Sequence, residues 1–201
     1  MEKNKPKTKK SNVREWVESF IIAAIIATIV RTLIFQNYRI PTSSMVPILK
    51  PGDRIFATRL TYGPKIPIIN KRIPGFGKPQ RGDVVVFVPP HEVKVHWFKR
   101  KQFIKRLVGL PGDKVLIKNG DIYINGELIT DPRIKNVTYY NLGEFARAGR
   151  EAIVPENKYF FLGDNSRNSV DSRYWGFADK EWIVAKALFI WLPFSRIQKI
   201  N

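Results

Sequence analysis

The chain has 201 residues, a formal net charge of +18 and 44% hydrophobic residues. This length suits one modest domain plus an anchor, and the apolar content excludes a wholly disordered chain. The chain has no cysteine and only two histidines. Disulfides and cysteine nucleophiles are therefore excluded, and there is little room for a Ser-His-Asp triad or a histidine-rich metal site. The excess of positive charge indicates an anionic partner surface, either nucleic acid or lipid.

The N-terminus combines a basic tail with an apolar segment. Residues 1–15 are rich in lysine, and we expect this tail to be disordered. Residues 16–36 form the predicted transmembrane anchor, since a helix of about twenty residues spans roughly 30 Å, the thickness of a bilayer core. Glu18 and Arg31 flank its uncharged centre and would lie near the two interfaces, with Trp16 as an interfacial aromatic residue.

Two other interpretations of this segment stay open. An apolar run after a basic tail also describes a cleavable signal peptide or a buried core helix. A retained anchor is favoured because no small-x-small cleavage site follows the run. The basic tail then predicts a cytoplasmic N-terminus, with residues 37–201 as an extracytoplasmic domain.

Beyond the anchor, the pattern is that of a β-protein without a further long helix. Seven short runs of β-branched and aromatic residues predict strands, at 55–58, 84–88, 103–108, 115–117, 122–124, 159–162 and 183–192. Asn119-Gly120 predicts a tight hairpin between two of them. Residues 62–79 are rich in proline and glycine and predict a long loop. Residues 118–151 include a polar stretch, 131–151, that we interpret as a small insertion.

The first segment of chemical interest is 40–47, in which two prolines bracket three hydroxyl residues. Proline restricts the backbone on both sides, so one hydroxyl group can be held in a fixed position. The segment directly follows the anchor and should lie near the membrane surface. Taken alone, it is more typical of a Ser/Thr-rich linker.

The second segment is 103–113, where Lys105 lies within an apolar strand. Alternation places Lys105 on the same face as Phe103 and Leu107, and burial disfavours its ammonium form. Lowering the lysine pKa from about 10.4 to about 7 or 8 costs roughly 4 kcal/mol and yields a general base at neutral pH. Taken alone, Lys105 is better interpreted as a snorkelling strand lysine in a very basic stretch.

The third segment, 163–176, is the densest polar run of the chain and ends in Tyr-Trp-Gly. Its aspartates and arginines can pair and fix a loop against the sheet. Together the motifs IPTSSM, RGDVVVF, FIKRLVGLPGD and GDNSRNSVDSRYWGF, in this order, resemble the type I signal peptidase family of bacterial membrane-bound serine proteases with a Ser-Lys dyad. The resemblance covers the anchor and most of the β-domain.

The resemblance implies a mainly β fold, with an antiparallel β-barrel-like catalytic domain behind one transmembrane helix in the bacterial cytoplasmic membrane. It implies removal of signal peptides from exported preproteins after Ala-x-Ala-like sites, with no cofactor and no metal. Its partners would be preproteins and the phospholipid bilayer, and no nucleic acid is expected.

The resemblance also implies a role for individual residues. Ser44 would be the nucleophile and Lys105 its base, while Thr42 and the Ser44 backbone N–H would stabilise the oxyanion. Ser169 would orient Lys105. Three charged residues would support the site structurally: Asp164, Asp171 and Arg173. Five apolar residues would line shallow substrate pockets: Ile40, Met45, Leu49, Phe103 and Ile104.

One position departs from the family pattern. After Gly-Asp-Asn the family often has arginine, whereas this chain has Ser166 followed by Arg167. Two rival functions also stay open. A non-catalytic β-module could bind anionic lipid or nucleic acid through the basic aromatic stretch 94–106. A repressor-type Ser-Lys protease could instead cleave itself, which would not need a membrane helix.

Overall fold

The computed structural model describes residues 12–66, 71–96 and 99–200. The N-terminal helix α1 spans Asn12–Ile29 and continues as one π-helical turn, Val30–Ile34. The helical segment therefore begins and ends earlier in the chain than the predicted anchor, 16–36. The helix starts inside the predicted tail, most of which lies outside the described residues. It ends before Phe35, which begins the first strand.

Within the described ranges, no helix meets both the length and the apolarity needed to span a bilayer. Helix α1 contains Arg14, Glu15 and Glu18 in its first half. Its apolar side chains, such as Phe20 and Ile25, are exposed rather than packed against the rest of the protein.

The domain after the helix is built from antiparallel strands. The strands, in chain order, are β1 Phe35–Arg39, β2 Arg54–Thr58, β3 Lys65–Ile66, β4 Lys71–Arg72, β5 Val84–Phe87, β6 Phe103–Gly109, β7 Lys114–Lys118, β8 Asp121–Ile124, β9 Glu127–Leu128, β10 Ala152–Ile153, β11 Lys158–Leu162, β12 Ala178–Asp179, β13 Ile183–Leu192 and β14 Gln198–Lys199. Two four-residue helices complete the set, α2 Pro132–Lys135 and α3 Ser172–Trp175.

These strands form two main sheets. The larger sheet has eight strands in the order β1-β2-β13-β5-β6-β11-β12, with β14 paired to β13; the smaller has four, in the order β10-β7-β8-β9. The predicted antiparallel β class is confirmed. The larger sheet is open, because its order runs from β1 at one edge to β12 at the other and no described pairing joins those two strands.

All seven predicted strands are present, since short runs of β-branched and aromatic residues bounded by turn residues are a strong local signal. The predicted hairpin turn is also present, with positive φ at both Asn119 and Gly120. Strand β1 was missed because its sequence is largely polar. It forms through its full five-residue register with β2, in which Phe35 faces Thr58 and Arg39 faces Arg54.

The two segments predicted as loop and insertion have structure of their own. In the described part of residues 62–79, strands β3 and β4 pair with each other; residues 67–70 lie outside the described residues. The polar stretch 131–151 contributes Ile134, Tyr139 and Ala146 to a core cluster beneath the smaller sheet. It therefore belongs to the folded framework.

Strand β6 lies at the centre of the architecture that positions the site. It pairs with β5, where Val85 faces Lys105, and with β11, where Leu162 faces Arg106. The loop between β1 and β2 is closed at its base by a hydrogen bond from the Ile40 N–H to the Asp53 carbonyl (2.9 Å). The polar loop that follows β11 meets these two elements.

Candidate active site

Ser44 lies in the loop between β1 and β2, and its side chain is held in place by neighbouring core residues. Ile40, Met45 and Leu49 pack in one buried cluster with residues of the larger sheet, and they fix the loop on both sides of the serine. Ser44 itself keeps 7% of its surface exposed. Its hydroxyl group is therefore fixed at the surface of the domain rather than free in a linker.

Lys105 reaches Ser44 from β6. Lys105 Nζ and Ser44 Oγ are hydrogen-bonded at 2.6 Å, and Nζ also donates to the Ile104 carbonyl at 3.1 Å. Lys105 is 4% exposed, so its amine is almost entirely shielded from solvent. Burial lowers the Lys105 pKa to about 8; the carboxylates of Asp164 and Asp171 oppose this shift, and Arg173 adds to it. A partly neutral amine beside a hydroxyl group can accept its proton.

Thr42 lies on the solvent side of the same loop. Its Oγ1 is 3.5 Å from Ser44 Oγ, at the limit of a hydrogen bond, and its side chain is exposed. A hydroxyl donor at this distance can reach an oxygen atom on a carbonyl carbon that Ser44 attacks.

The polar loop 163–176 is joined directly to the Ser44 loop. The Asn165 N–H donates to the Ser44 carbonyl at 3.0 Å, and the Asn165 side-chain amide donates to the Ser43 carbonyl at 3.1 Å. Asn165 was missed by the sequence analysis, which emphasised charged residues and hydroxyl groups. Its two bonds fix the backbone position of the serine.

Two buried ion pairs brace this loop. Arg106 forms a bidentate pair with Asp164 at 2.8 and 2.7 Å, and Arg173 forms one with Asp171 at 2.8 Å for both bonds. All four side chains are fully buried. Burial raises the Asp164 pKa although Arg106 opposes the shift. Asp164, Asp171 and Arg173 were predicted as supports, whereas Arg106 was not singled out.

The departure at position 166 also has a structural explanation. Ser166 is buried, and its hydroxyl oxygen accepts from Arg173 Nη1 at 2.6 Å and from the Tyr140 N–H at 2.9 Å. The neighbouring Arg167 places its guanidinium 4.5 Å from the centre of the Tyr140 ring. Ser166 therefore joins the buried network, and the following arginine lies outside it.

Ser169 is not bonded to Lys105 as the resemblance implied. Its Oγ is buried and has no hydrogen-bond partner among the described residues, because Lys105 Nζ is directed to Ser44 and the Ile104 carbonyl. The Ser169 hydroxyl nevertheless lies close to the dyad. A side-chain carbon at Gly163 would collide with both Ser169 Oγ and the Ser44 carbonyl oxygen.

The residues predicted to line substrate pockets divide into two groups. Ile40, Met45 and Leu49 are almost fully buried core residues. A side chain without exposed surface does not contact a substrate in this conformation, so these three support the loop instead. Phe103 and Ile104, at the start of β6, retain exposed surface beside Lys105.

The close contact at Gly163 makes a sharp prediction. We expect Gly163→Ala to lower kcat strongly, because the new Cβ would displace Ser169 or the Ser44 carbonyl. The Gly163 N–H also donates to Asp171 Oδ2 at 3.0 Å, so the glycine cannot move away freely. Gly126→Ala is the control for adding a methyl group, since nothing lies within 4 Å of its Cβ position. The φ of 88° at Gly126 also strains an alanine there, but this strain arises in the turn after β8 and not at Ser44. Steady-state cleavage assays test both variants, and equal activity would contradict the prediction.

Comparison with known proteins connects this geometry to one group of enzymes. A family model described as signal peptidase, peptidase S26, matches residues 13–192. Signal peptidase I of Bacillus licheniformis is 33% identical over 209 residues, covering 100% of both chains. Signal peptidase I S of Bacillus subtilis is 33% identical, covering 96% of this chain and 97% of its own. A crystal structure of a signal peptidase I from Enterococcus faecalis matches with 33% identity and a TM-score of 0.42, over 54% of this chain and 96% of that one.

Proposed function

This chain belongs to the signal peptidase family, peptidase S26, and we propose that it cleaves signal peptides from exported preproteins after Ala-x-Ala-like sites by a Ser44–Lys105 dyad. Membership of this family identifies the chain as a serine peptidase, which argues against the alternative of a non-catalytic β-module that binds lipid or nucleic acid. The observation that most supports the dyad is the 2.6 Å separation of Lys105 Nζ and Ser44 Oγ in a buried setting.

The proposed reaction has two steps. Neutral Lys105 accepts the proton of Ser44 Oγ as this oxygen attacks the scissile carbonyl carbon. The resulting ammonium returns the proton to the leaving amine, and an acyl-enzyme ester forms on Ser44. Lys105 then takes a proton from water, which attacks the ester, and the proton passes back to Ser44 as the signal peptide leaves.

In the proposed mechanism, the Thr42 hydroxyl and the Ser44 N–H donate hydrogen bonds to the oxyanion of each tetrahedral intermediate. We expect Thr42→Val to lower kcat about 10²- to 10³-fold, since it keeps the shape of the side chain and removes one donor. Thr42→Ser retains the hydroxyl group and should keep most of the activity. Pre-steady-state acylation measurements distinguish the two variants, and equal acylation rates would remove Thr42 from the oxyanion site.

The pH dependence of the reaction follows from Lys105. Because only the neutral amine accepts the serine proton, kcat/KM should rise with pH and level off above the Lys105 pKa of about 8. Below that value the rate should fall about tenfold per pH unit. A kcat/KM profile from pH 5 to 10 on a peptide substrate measures this. A flat profile between pH 6 and 9 would contradict a lysine base.

Substrate preference is tested with a preprotein that carries an Ala-x-Ala site. We expect a cut directly after the second alanine, and we expect cleavage to be lost when that alanine becomes a bulky residue. Mass spectrometry of both products locates the bond. Cleavage elsewhere, or of the chain itself only, would favour the repressor-type alternative.

Attachment to the cytoplasmic membrane is the second part of the proposal. Apolar side chains are exposed around α1, including Trp16, Phe20 and Ile25, and a bilayer would remove this surface from water. Residues 1–15 would then lie in the cytoplasm and 37–201 outside it. Protease protection of inverted and right-side-out vesicles tests this arrangement.

A further inference from the structure

The polar loop 163–176 contacts a second stretch of the chain, residues 139–145, which we call the 139–145 segment. The side-chain amide of Asn141 donates to the Ile117 carbonyl of β7 at 2.8 Å and to the Ala146 carbonyl at 3.0 Å. The segment is thereby tied to the smaller sheet, whereas the proposed base lies in the larger one. It therefore connects the smaller sheet to the polar loop beside the dyad.

The 139–145 segment holds Arg173 at two points. The Tyr140 carbonyl accepts from Arg173 Nη1 at 3.0 Å, and the Phe145 N–H donates to the Arg173 carbonyl at 2.9 Å. Gly143 lies so close to this carbonyl that a Cβ atom there would be 2.3 Å from its oxygen. The guanidinium and the backbone of Arg173 therefore both depend on where the segment lies.

A further contact joins the segment to the start of the same loop. The Tyr140 N–H donates to Ser166 Oγ at 2.9 Å, and Arg173 Nη1 donates to the same oxygen at 2.6 Å. Ser166 directly follows Asn165, whose N–H donates to the Ser44 carbonyl at 3.0 Å. The hydroxyl group that the segment contacts is therefore one residue away from the hydrogen bond that fixes the backbone of the nucleophile.

The charge of Arg173 affects the base as well as the loop. Burial lowers the pKa of Lys105, and the fully buried Arg173 guanidinium adds to this shift, whereas Asp171 and Asp164 oppose it. The interaction between two charges changes with their separation, and most strongly where water is excluded. A displaced Arg173 would therefore alter both the position of the loop and the protonation of the amine.

We propose that the 139–145 segment is a positioning element for the dyad and that Asn141 is its positioning residue. By fixing the segment to β7, the Asn141 amide keeps Arg173 in the place where it holds the loop. This inference rests on the proposed Ser44–Lys105 mechanism. The described hydrogen bonds of the Asn141 side chain reach neither member of the dyad, so its effect on the reaction passes through the loop.

The first test compares two asparagine variants in the full chain. Asn141→Ala removes both amide donors, and Asn37→Ala is the matched control because its side chain bonds to the Trp191 indole at 3.0 Å, on the larger sheet. We expect Asn141→Ala to lower kcat on a soluble peptide at least tenfold, since a misplacement of about 1 Å can cost about a hundredfold in rate. The KM should change by less than about twofold. Asn37→Ala should keep the kcat of the parent.

A pH profile separates positioning from a loss of folded protein. If the Arg173 guanidinium moves away from Lys105, the midpoint of the kcat/KM profile should move to higher pH in Asn141→Ala. A loss of folded protein alone would lower kcat in proportion to the folded fraction and leave the midpoint in place. That second pattern would overturn the positioning role.

Hydrogen–deuterium exchange tests the same inference without a measurement of activity. In the Ser44→Ala background, Asn141→Ala should speed the exchange of backbone amides in 163–176 and leave those of Ile183–Leu192 at the parent rate. Unchanged exchange in 163–176 would overturn the proposal. A failure of the mechanism is recognised separately: if Ser44→Ala alone still cleaves the peptide, the dyad is wrong, and the exchange rates still decide whether the segment fixes the loop.

A double variant tests whether Asn141 acts through the contact with the loop. Ser166→Ala removes the oxygen that accepts from Tyr140 and Arg173. The effects of Asn141→Ala and Ser166→Ala on kcat should not add, because residues that act through one network are coupled. The effects of Asn37→Ala and Ser166→Ala should add. Additive effects in the first pair would show that the Asn141 amide does not act through this loop and would overturn the proposal.

Discussion

Replacing Lys105 by arginine should leave a protein that cannot cleave its substrate at any pH at which it stays folded. Arginine keeps the positive charge and much of the length of lysine, but its guanidinium does not lose a proton at accessible pH. If Lys105 acts only as a fixed charge that stabilises the transition state, Lys105→Arg should keep part of the activity. If it acts as the base, the activity should fall as far as in Ser44→Ala.

The expected loss of kcat for either variant is roughly 10⁴-fold or more, and the double variant should be no worse than Ser44→Ala alone. Because the two residues act as one unit, their effects should not add. Activity above one tenth of the parent value in both single variants would exclude the dyad.

Loss of folding is separated from loss of chemistry by Lys105→Met. The folded-state pKa of about 8 lies below the ordinary value of 10.5, so the folded protein binds the proton less readily than the unfolded chain. Below pH 8 Lys105 is protonated in both the folded and the unfolded protein, so the folded protein carries the full cost of burying the ammonium. As the pH rises from 8 to 10.5, Lys105 loses its proton in the folded protein first, and the parent should therefore become more stable. Lys105→Met removes this cost and should be more stable than the parent at pH 7, by roughly 3 kcal/mol at most. Urea unfolding of both proteins at pH 7 measures the difference.

A chemical rescue strengthens the assignment. The chain has no cysteine, so Lys105→Cys introduces a unique thiol that can be aminoethylated after unfolding. The product carries an amine at nearly the same reach as lysine. Partial recovery of cleavage in the refolded protein is expected, and no recovery from a correctly folded sample would count against an amine base.

The elements of the site differed in how far the sequence could predict them. Strand β6 and the position of Lys105 within it were predictable, because a short apolar run followed by a Pro-Gly-Asp turn is a local signal. The contact between Lys105 and Ser44 was not, since it depends on how a loop 61 positions away along the chain closes over the sheet. Only the resemblance to a family joined these two segments.

Other features were hidden because their signals lie in the backbone. Asn165 acts partly through its own N–H, which every residue except proline has, so its sequence offers no special pattern. Gly163 is required by the close approach of Ser169 and Ser44, which exists only in the folded chain. Strand β1 was hidden for a related reason: it is polar, and its pairing with β2 stabilises it instead of its own burial.

Removing the buried charge of Arg173 should strongly lower the free energy of unfolding. Its guanidinium donates to Asp171, to the Ser166 side chain and backbone and to the carbonyls of Tyr140 and Ser169, and it has no exposed side-chain surface. Arg173→Met would leave the Asp171 carboxylate buried without its partner, which costs about 3–5 kcal/mol. Arg173→Lys should recover little of this loss, because a single ammonium cannot replace the planar fork.

The matched control is the exposed pair of Lys158 and Asp179, whose charged atoms lie 3.3 Å apart. Lys158→Met should change the free energy of unfolding by less than about 1 kcal/mol, as is usual for solvated ion pairs. Denaturant unfolding of the full chain in detergent measures both variants. Similar losses in Arg173→Met and Lys158→Met would show that burial of the Arg173 pair contributes nothing special.

A second readout tests whether Arg173 also affects the chemistry. Its positive charge helps to lower the Lys105 pKa, whereas Asp171 raises it. The midpoint of the kcat/KM profile should therefore move to higher pH in Arg173→Met and to lower pH in Asp171→Asn, when each is measured at a temperature where the variant stays folded. If the Arg173–Asp171 pair only held the loop in position, both variants would have a lower kcat/KM but the same midpoint of the pH profile. Opposite shifts would show that the buried network sets the protonation of the base as well as the position of the loop.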